Sequence, residues 1–120
     1  MKSSKKEKKQ LNNEISEKNI TIQLNSTKRM LKEIEYYQTE INFNEKILKE
    51  MEMYEKDIYD INKQREILEE SFNIRSESIK KFKEYRENLE SISVKLETEN
   101  IENLLLPEIN KFLQNSEYIV

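Results

Sequence analysis

The stretch YDINKQREILEES, residues Tyr59 to Ser71, decides how this chain folds. Asp57 and Asp60 supply carboxylates where a helix N-terminus leaves backbone N–H groups unpaired, and Ile58, Ile61 and Leu68 follow at helical spacing. A helix therefore starts here. Lys63, Gln64, Glu66, Glu69 and Glu70 fall largely away from the apolar stripe, which gives a polar face whose charge order a partner could read.

Toward the C-terminus the stripe continues through Phe72, Ile79, Phe82, Leu89 and Leu96, with Arg65, Arg75, Arg86 and Ser93 at its remaining seam positions. The pattern predicts one helix over about 58–96. Toward the N-terminus, Met30, Ile34, Tyr37, Ile41, Asn44, Leu48 and Met51 alternate four- and three-residue steps, interrupted in polarity only by Asn44. That predicts a helix over about 26–52, capped at Asn25 or Ser26. The alternation Ile20, Ile22, Leu24 ahead of it reads as an extended lead-in. Between the two runs the apolar phase slips by one residue, which, with the acidic start at Asp57, predicts an antiparallel reversal over 52–57.

A third run, Ile101, Leu104, Leu105, Ile109, Phe112 and Leu113, predicts a helix over about 98–115, with a kink or split at Pro107. The second helix, at about 39 residues, would span roughly 58 Å and the third, at about 18, roughly 27 Å. The third can cover only half of the second. The end formed by residues 36 to 72 is then a two-helix seam, which leaves Tyr36, Phe43, Tyr54, Tyr59 and Ile67 partly accessible. The expected fold is all-α: an elongated antiparallel three-helix bundle over residues 20–115, with two long helices and a shorter C-terminal third. A basic tail over 1–19 precedes it and a short tail over 116–120 follows.

Composition agrees with that reading. The 120 residues include one Pro and no Gly, so the turn chemistry of a sheet protein is missing. Charged residues make up 38% and hydrophobic ones 35%, which suits narrow seams between amphipathic helices. With no His and no Cys, neither a Ser-His-Asp or Cys-His nucleophile nor a conventional zinc site can be assembled. Without Gly there is no phosphate-cradling loop and no calcium loop. The plentiful carboxylates read as solvated helix faces and intrahelical pairs. The sequence therefore points to a binding protein that is not an enzyme and needs no cofactor or metal.

No window approaches the run of about 18 apolar residues that a membrane span requires, and nothing marks secretion, so a cytoplasmic protein is expected. The net charge of −3 is uneven. Residues 2–9, KSSKKEKK, hold five of the 21 basic residues and one of the 24 acidic ones, leaving 16 basic against 23 acidic elsewhere, a balance of −7. The acidic remainder would repel phosphates, so neither nucleic acid nor an anionic membrane is expected as a partner.

Two blocks carry a resemblance to a known family: TKRMLKE at Thr27 to Glu33, and the YDINKQREILEES segment. With two long helices and the second block opening helix two, the chain resembles the tubulin-binding cofactor A (tubulin-specific chaperone A) family over roughly residues 20 to 96. The resemblance implies a non-catalytic chaperone that binds a quasi-native β-tubulin intermediate and passes it to other tubulin-folding cofactors for αβ-heterodimer assembly. It implies β-tubulin contacts at Lys28, Arg29, Lys32 and Glu33 in the first block. In the second block it implies contacts at Tyr59, Asp60, Lys63, Gln64, Glu66 and Glu70. It also implies a cytoplasmic, cytoskeleton-associated protein; a monomer or a weak homodimer is expected, since an incompletely covered two-helix end could self-associate. Two features depart from the family: Ser76 stands where members often carry Pro, and the C-terminal part around Pro107 is unlike theirs. The competing reading is a generic coiled-coil or helical-bundle adaptor in a cytosolic complex, since Lys/Glu-rich helices produce chance matches.

Overall fold

The computed structural model describes residues 16–119. Among these the chain forms α1 (Glu17–Met53), α2 (Ile58–Thr98), α3 (Leu106–Asn115) and a 3-10 turn (Glu117–Ile119), with no strand. The protein is all-α, two long helices and a short third. No helix among the described residues is long and apolar enough to cross a membrane. The chain divides into two compact units, one holding the residues up to Arg29 together with those from Phe82 onward, the other Met30–Lys81.

The unit Met30–Lys81 is a helical hairpin. Residues that meet across it are Glu33 with Ser78, Asn44 with Gln64 and Glu52 with Arg65, so positions climb on α1 as they fall on α2. The reversal lies where the phase slip predicts it. Lys56 donates to the Met51 carbonyl (3.0 Å) and Glu55 to the Glu52 carbonyl (3.3 Å), and Glu55 takes a left-handed φ of 50°. This is the Schellman closure that usually employs Gly, built here without one. Asp57 then caps α2, its carboxylate accepting from the Tyr59 N–H at 3.1 Å.

Ile34, Ile41 and Ile61 are the buried apolar residues of this hairpin. Each contributes about 1.5–3 kcal/mol by burial. The second seam column of α2 differs from the one expected. Ile58 and Phe72 are 63% and 44% exposed, whereas Gln64, Ser71 and Ser78 are buried one residue away from the Ile58, Arg65, Phe72, Ile79 series. One residue is about 100° around a helix, so the apolar side chains of that series move to the flank. Ser fits at these contacts because it is small and returns its hydroxyl to protein oxygens: Ser71 Oγ donates to the Ile67 carbonyl and Ser78 Oγ to Glu33.

The other unit has a three-helix core: Ile20, Leu24, Leu89, Ile92, Leu96 and Ile109 are buried together. Ile101, Leu105, Leu106, Phe112 and Leu113 pack against them. Phe82 is wholly buried and meets Phe112 edge-on, with ring centroids 6.4 Å apart.

Several expectations are corrected here. Ile20, Leu24 and Thr27 are buried at i, i+4 and i+7 on a helix that already starts at Glu17, and Ile22 is exposed, so the apparent two-residue period belongs to a helix and not to an extended lead-in. Ser16 accepts the Asn19 N–H at 3.2 Å and supplies the helix start that the pattern placed at Asn25 or Ser26. The third helix begins at Leu106, not near 98, and Pro107 sits in its first turn, where the missing N–H costs nothing; no kink is needed. Asn100, with φ 54°, ends α2 in a second glycine-free Schellman closure whose Ile101 N–H donates to the Leu96 carbonyl at 2.9 Å. Ser116, assigned by pattern to a C-terminal tail, is fully buried. The basic tract Lys2 to Lys9 lies outside the described residues.

Arg86, 8% exposed, fastens α3. Its guanidinium donates to the Leu113 carbonyl (2.7 Å) and the Ser116 hydroxyl (3.3 Å) and pairs with Glu90. The Leu113 carbonyl is one of those a helix C-terminus leaves without an intrahelical donor. Ser93 and Asn110 (2.6 Å) and Lys28 and Glu108 (2.8 Å) add further ties to α3.

Candidate functional site

In an antiparallel helix pair, residues that immediately precede seam positions on either helix emerge on the same flank, because the reversed direction mirrors the rotation. The residues that follow seam positions emerge on the opposite flank. The hairpin Met30–Lys81 obeys this: Glu52 follows Met51, Arg65 follows Gln64, and the two form an ion pair at 3.2 Å. Glu33 precedes Ile34 and reaches Ser78 from the other flank at 3.0 Å.

The preceding flank carries Tyr36, Glu40 and Phe43 on α1 and Asp60, Lys63, Ile67 and Glu70 on α2. Tyr36, Phe43 and Ile67 are exposed apolar or aromatic side chains, as the two-helix expectation requires. Tyr54 and Tyr59 are exposed as well. The Asn44–Gln64 and Glu33–Ser78 pairings set Phe43 level with Ile67 across the groove. Tyr36 stands edge-on to Tyr37, with ring centroids 5.2 Å apart. The negative charge of Glu40, and then its hydrogen bond, raises the Tyr36 pKa above the ordinary phenol value, so the hydroxyl is held protonated as a donor. On α2 the Lys63 ammonium lies 5.1 Å from the centre of the Tyr59 ring, a cation–π contact at i and i+4.

The ten candidate contact residues fall into distinct settings. Lys28 and Arg29 belong to the other compact unit, where Lys28 is engaged with Glu108. Lys32, Tyr59, Asp60, Lys63, Glu66 and Glu70 are exposed in the hairpin unit. Glu33 is partly buried and accepts from Ser78. Gln64, 9% exposed, spends its amide on Asn44, at 3.1 Å to the main-chain oxygen and 3.2 Å to the side-chain oxygen. It fixes the register of the helices that carry its exposed neighbours. Tyr59, Lys63, Glu66 and Glu70 recur at four-, three- and four-residue steps and form one ridge of α2. Glu40 is a feature the contact list lacks; its i, i+4 spacing from Tyr36 was the available signal.

Chemically this flank offers adhesion: aromatic and aliphatic surface bordered by carboxylates and one lysine, on two helices held in register by a buried amide pair. Such a surface can desolvate against a partner's apolar patch while its charges select orientation.

A family model described as tubulin binding cofactor A matches residues 15–111, a span that contains all ten candidate contacts and the whole hairpin. No curated protein and no solved structure matches the chain.

Proposed function

Since the chain belongs to the tubulin binding cofactor A family, and its role is that of a tubulin-binding cofactor, we propose that it binds β-tubulin through the flank of the hairpin that carries Tyr36, Phe43, Lys63 and Ile67. In this reading it holds a quasi-native β-tubulin intermediate and hands it to other tubulin-folding cofactors for αβ-heterodimer assembly. It acts in the cytoplasm, in association with the cytoskeleton. No bond is made or broken. Binding stabilises the held state by mass action, about 2.7 kcal/mol at a free concentration one hundred times the Kd, and lowers the free concentration of a species prone to aggregate.

The observation that supports this reading is the exposure of Tyr36, Phe43 and Ile67 on a two-helix unit whose seam is already closed by Ile34, Ile41 and Ile61. The exposed aromatics are surplus to the hairpin's own packing. Around them Lys63, Glu66 and Glu70 set one positive charge beside two carboxylates, an order suited to orienting a partner. Lys32 and Tyr59 extend the same surface, and Lys28 and Arg29 add basic charge on the first block. Gln64 and Glu33 act indirectly in this scheme by holding the two helices in register.

Capture of β-tubulin from dissociated αβ-tubulin tests the proposal. The unmodified chain should retain β-tubulin, and the charge reversal Lys63→Glu with Glu66→Lys should weaken retention about tenfold while helicity is unchanged. Failure of the unmodified chain to capture β-tubulin would overturn it.

A further inference from the structure

The α2–α3 connection shapes an open cleft of about 650 Å³ walled by Leu96, Ile101, Leu104, Leu106 and Pro107. All of these belong to one compact unit. The turn that forms the cleft is held by its own backbone. The Ile101 N–H donates to the Leu96 carbonyl at 2.9 Å, the Leu106 N–H to the Asn103 carbonyl at 3.2 Å, and the Leu105 N–H to the Asn103 side-chain oxygen at 2.8 Å. Ile101, Leu105 and Leu106 pack onto the core, whereas Leu104 is left 90% exposed beside the hollow. This fixes aliphatic surface toward solvent in a concave setting, where an incoming side chain is desolvated on more than one side.

The lining is acidic. Glu97 and Glu102 belong to it, Glu99 stands exposed between them in the chain, and no Lys or Arg takes part. Glu97 accepts a hydrogen bond from Asn110 at 3.2 Å, but no ion pair among the described residues includes Glu97, Glu99 or Glu102. Glu108, in the same unit, is by contrast paired with Lys28. Three uncompensated carboxylates around an exposed leucine set the chemistry of what fits: apolar at its centre and cationic at its ends. The same charge turns away phosphate groups and acidic polypeptides.

We propose that this cleft binds a segment of another protein in which an apolar residue is flanked by lysine or arginine. The apolar side chain packs beside Leu104 against Leu96, Ile101 and Leu106, and the cations pair with Glu97, Glu99 and Glu102. Charge complementarity selects this occupant over an acidic segment and over a second copy of the chain, whose net charge is −3. Exposed charge pairs are weak singly, so the leucine contact and the charges act together. The surface lies outside the hairpin unit and does not depend on the β-tubulin reading.

The probe is the synthetic peptide acetyl-Lys-Lys-Leu-Ile-Lys-Lys-amide, titrated into the full chain labelled with nitrogen-15, and its counterpart is the peptide with Glu in place of every Lys. The amide signals of residues 97–106 should shift saturably with the basic peptide and stay in place with the acidic one. Those of Glu84 and Glu87, exposed in the same unit and roughly 13 Å or more along α2 from Leu96, should stay in place with both. Glu99→Lys with Glu102→Lys should weaken the basic peptide by roughly tenfold, and Leu104→Ser by roughly threefold. All three positions are exposed, so the fold is kept, and unchanged signals of the buried Leu89 and Ile109 report that. No saturable shift at residues 97–106, equal shifts at Glu84 and Glu87, or equal affinity for the acidic peptide would overturn the proposal. So would unchanged affinity in the double Glu variant or in Leu104→Ser. Shifts at residues 97–106 that grow with protein concentration in the absence of peptide would assign the cleft to a second copy of the chain instead.

Discussion

Gln64 donates its side-chain amide to both oxygens of Asn44, 3.1 Å to the main-chain carbonyl and 3.2 Å to the side chain, inside a seam whose neighbours are isoleucines. The pair joins residues twenty apart and allows one register. A shift of either helix would leave two buried amides without partners, at about 1–3 kcal/mol each.

Gln64→Leu should therefore destabilise the protein by about 1–3 kcal/mol, because Asn44 stays buried and loses its donor. Asn44→Leu should cost less, because Gln64 keeps the main-chain carbonyl of residue 44 as an acceptor. The double variant should cost less than the sum of the two, since no polar atom is then stranded. Urea denaturation of all four proteins measures the coupling; strict additivity would show that the pair does not fix the register.

Glu55 holds a left-handed conformation in the hairpin turn, with φ 50°. A side chain with a Cβ pays for that conformation and Gly does not, so Glu55→Gly should raise stability by about 0.5–1 kcal/mol. Thermal melting reads the shift as an increase of a few degrees.

Arg86 holds the end of α3 through the Leu113 carbonyl and Ser116. Arg86→Met keeps much of its apolar stem but removes the guanidinium donor from the Leu113 carbonyl and the Ser116 hydroxyl oxygen, at a cost of about 1–3 kcal/mol. Amide hydrogen exchange should speed up across residues 109–115 by roughly ten- to a hundredfold. The hairpin Met30–Lys81 should keep its protection.

Exposed and buried aromatics should separate stability from binding. Phe82→Ala should cost about 3–5 kcal/mol, because Phe82 is wholly buried against Phe112. Phe43→Ser should leave stability within about 0.5 kcal/mol. Denaturant midpoints for the two variants check both.

Helix type, the reversal over 52–57 and the two-helix region with its exposed Tyr36, Phe43 and Ile67 could be read from the sequence. Apolar periodicity and the lack of Gly and Pro leave little freedom for those features. The α1 start could not, because Ile20, Ile22 and Leu24 fit a two-residue period as well as a helical one. The Ser16 cap that decides between them depends on a backbone conformation. Pro107 was legible as a breaker but not as a starter, since its role depends on whether residues 99–105 continue the helix. The polar seam column Gln64, Ser71 and Ser78 was hidden because apolar pattern counts Ile58 and Phe72 as core. Only the cross-hairpin partners Asn44 and Glu33 explain why polar residues occupy it. At the candidate site, the charged ridge from Tyr59 to Glu70 was legible, whereas the burial of Gln64 required the structure.

The most direct test of the central claim is the affinity for β-tubulin released from dissociated heterodimer, measured for the unmodified chain and for Phe43→Ser with Ile67→Ser. Binding by the unmodified chain, weakened at least tenfold in the double variant with its melting curve unchanged, is the predicted result; that loss corresponds to about 1.4 kcal/mol or more. Equal affinity in the two proteins, or no binding by the unmodified chain, would contradict the assignment of this flank to β-tubulin.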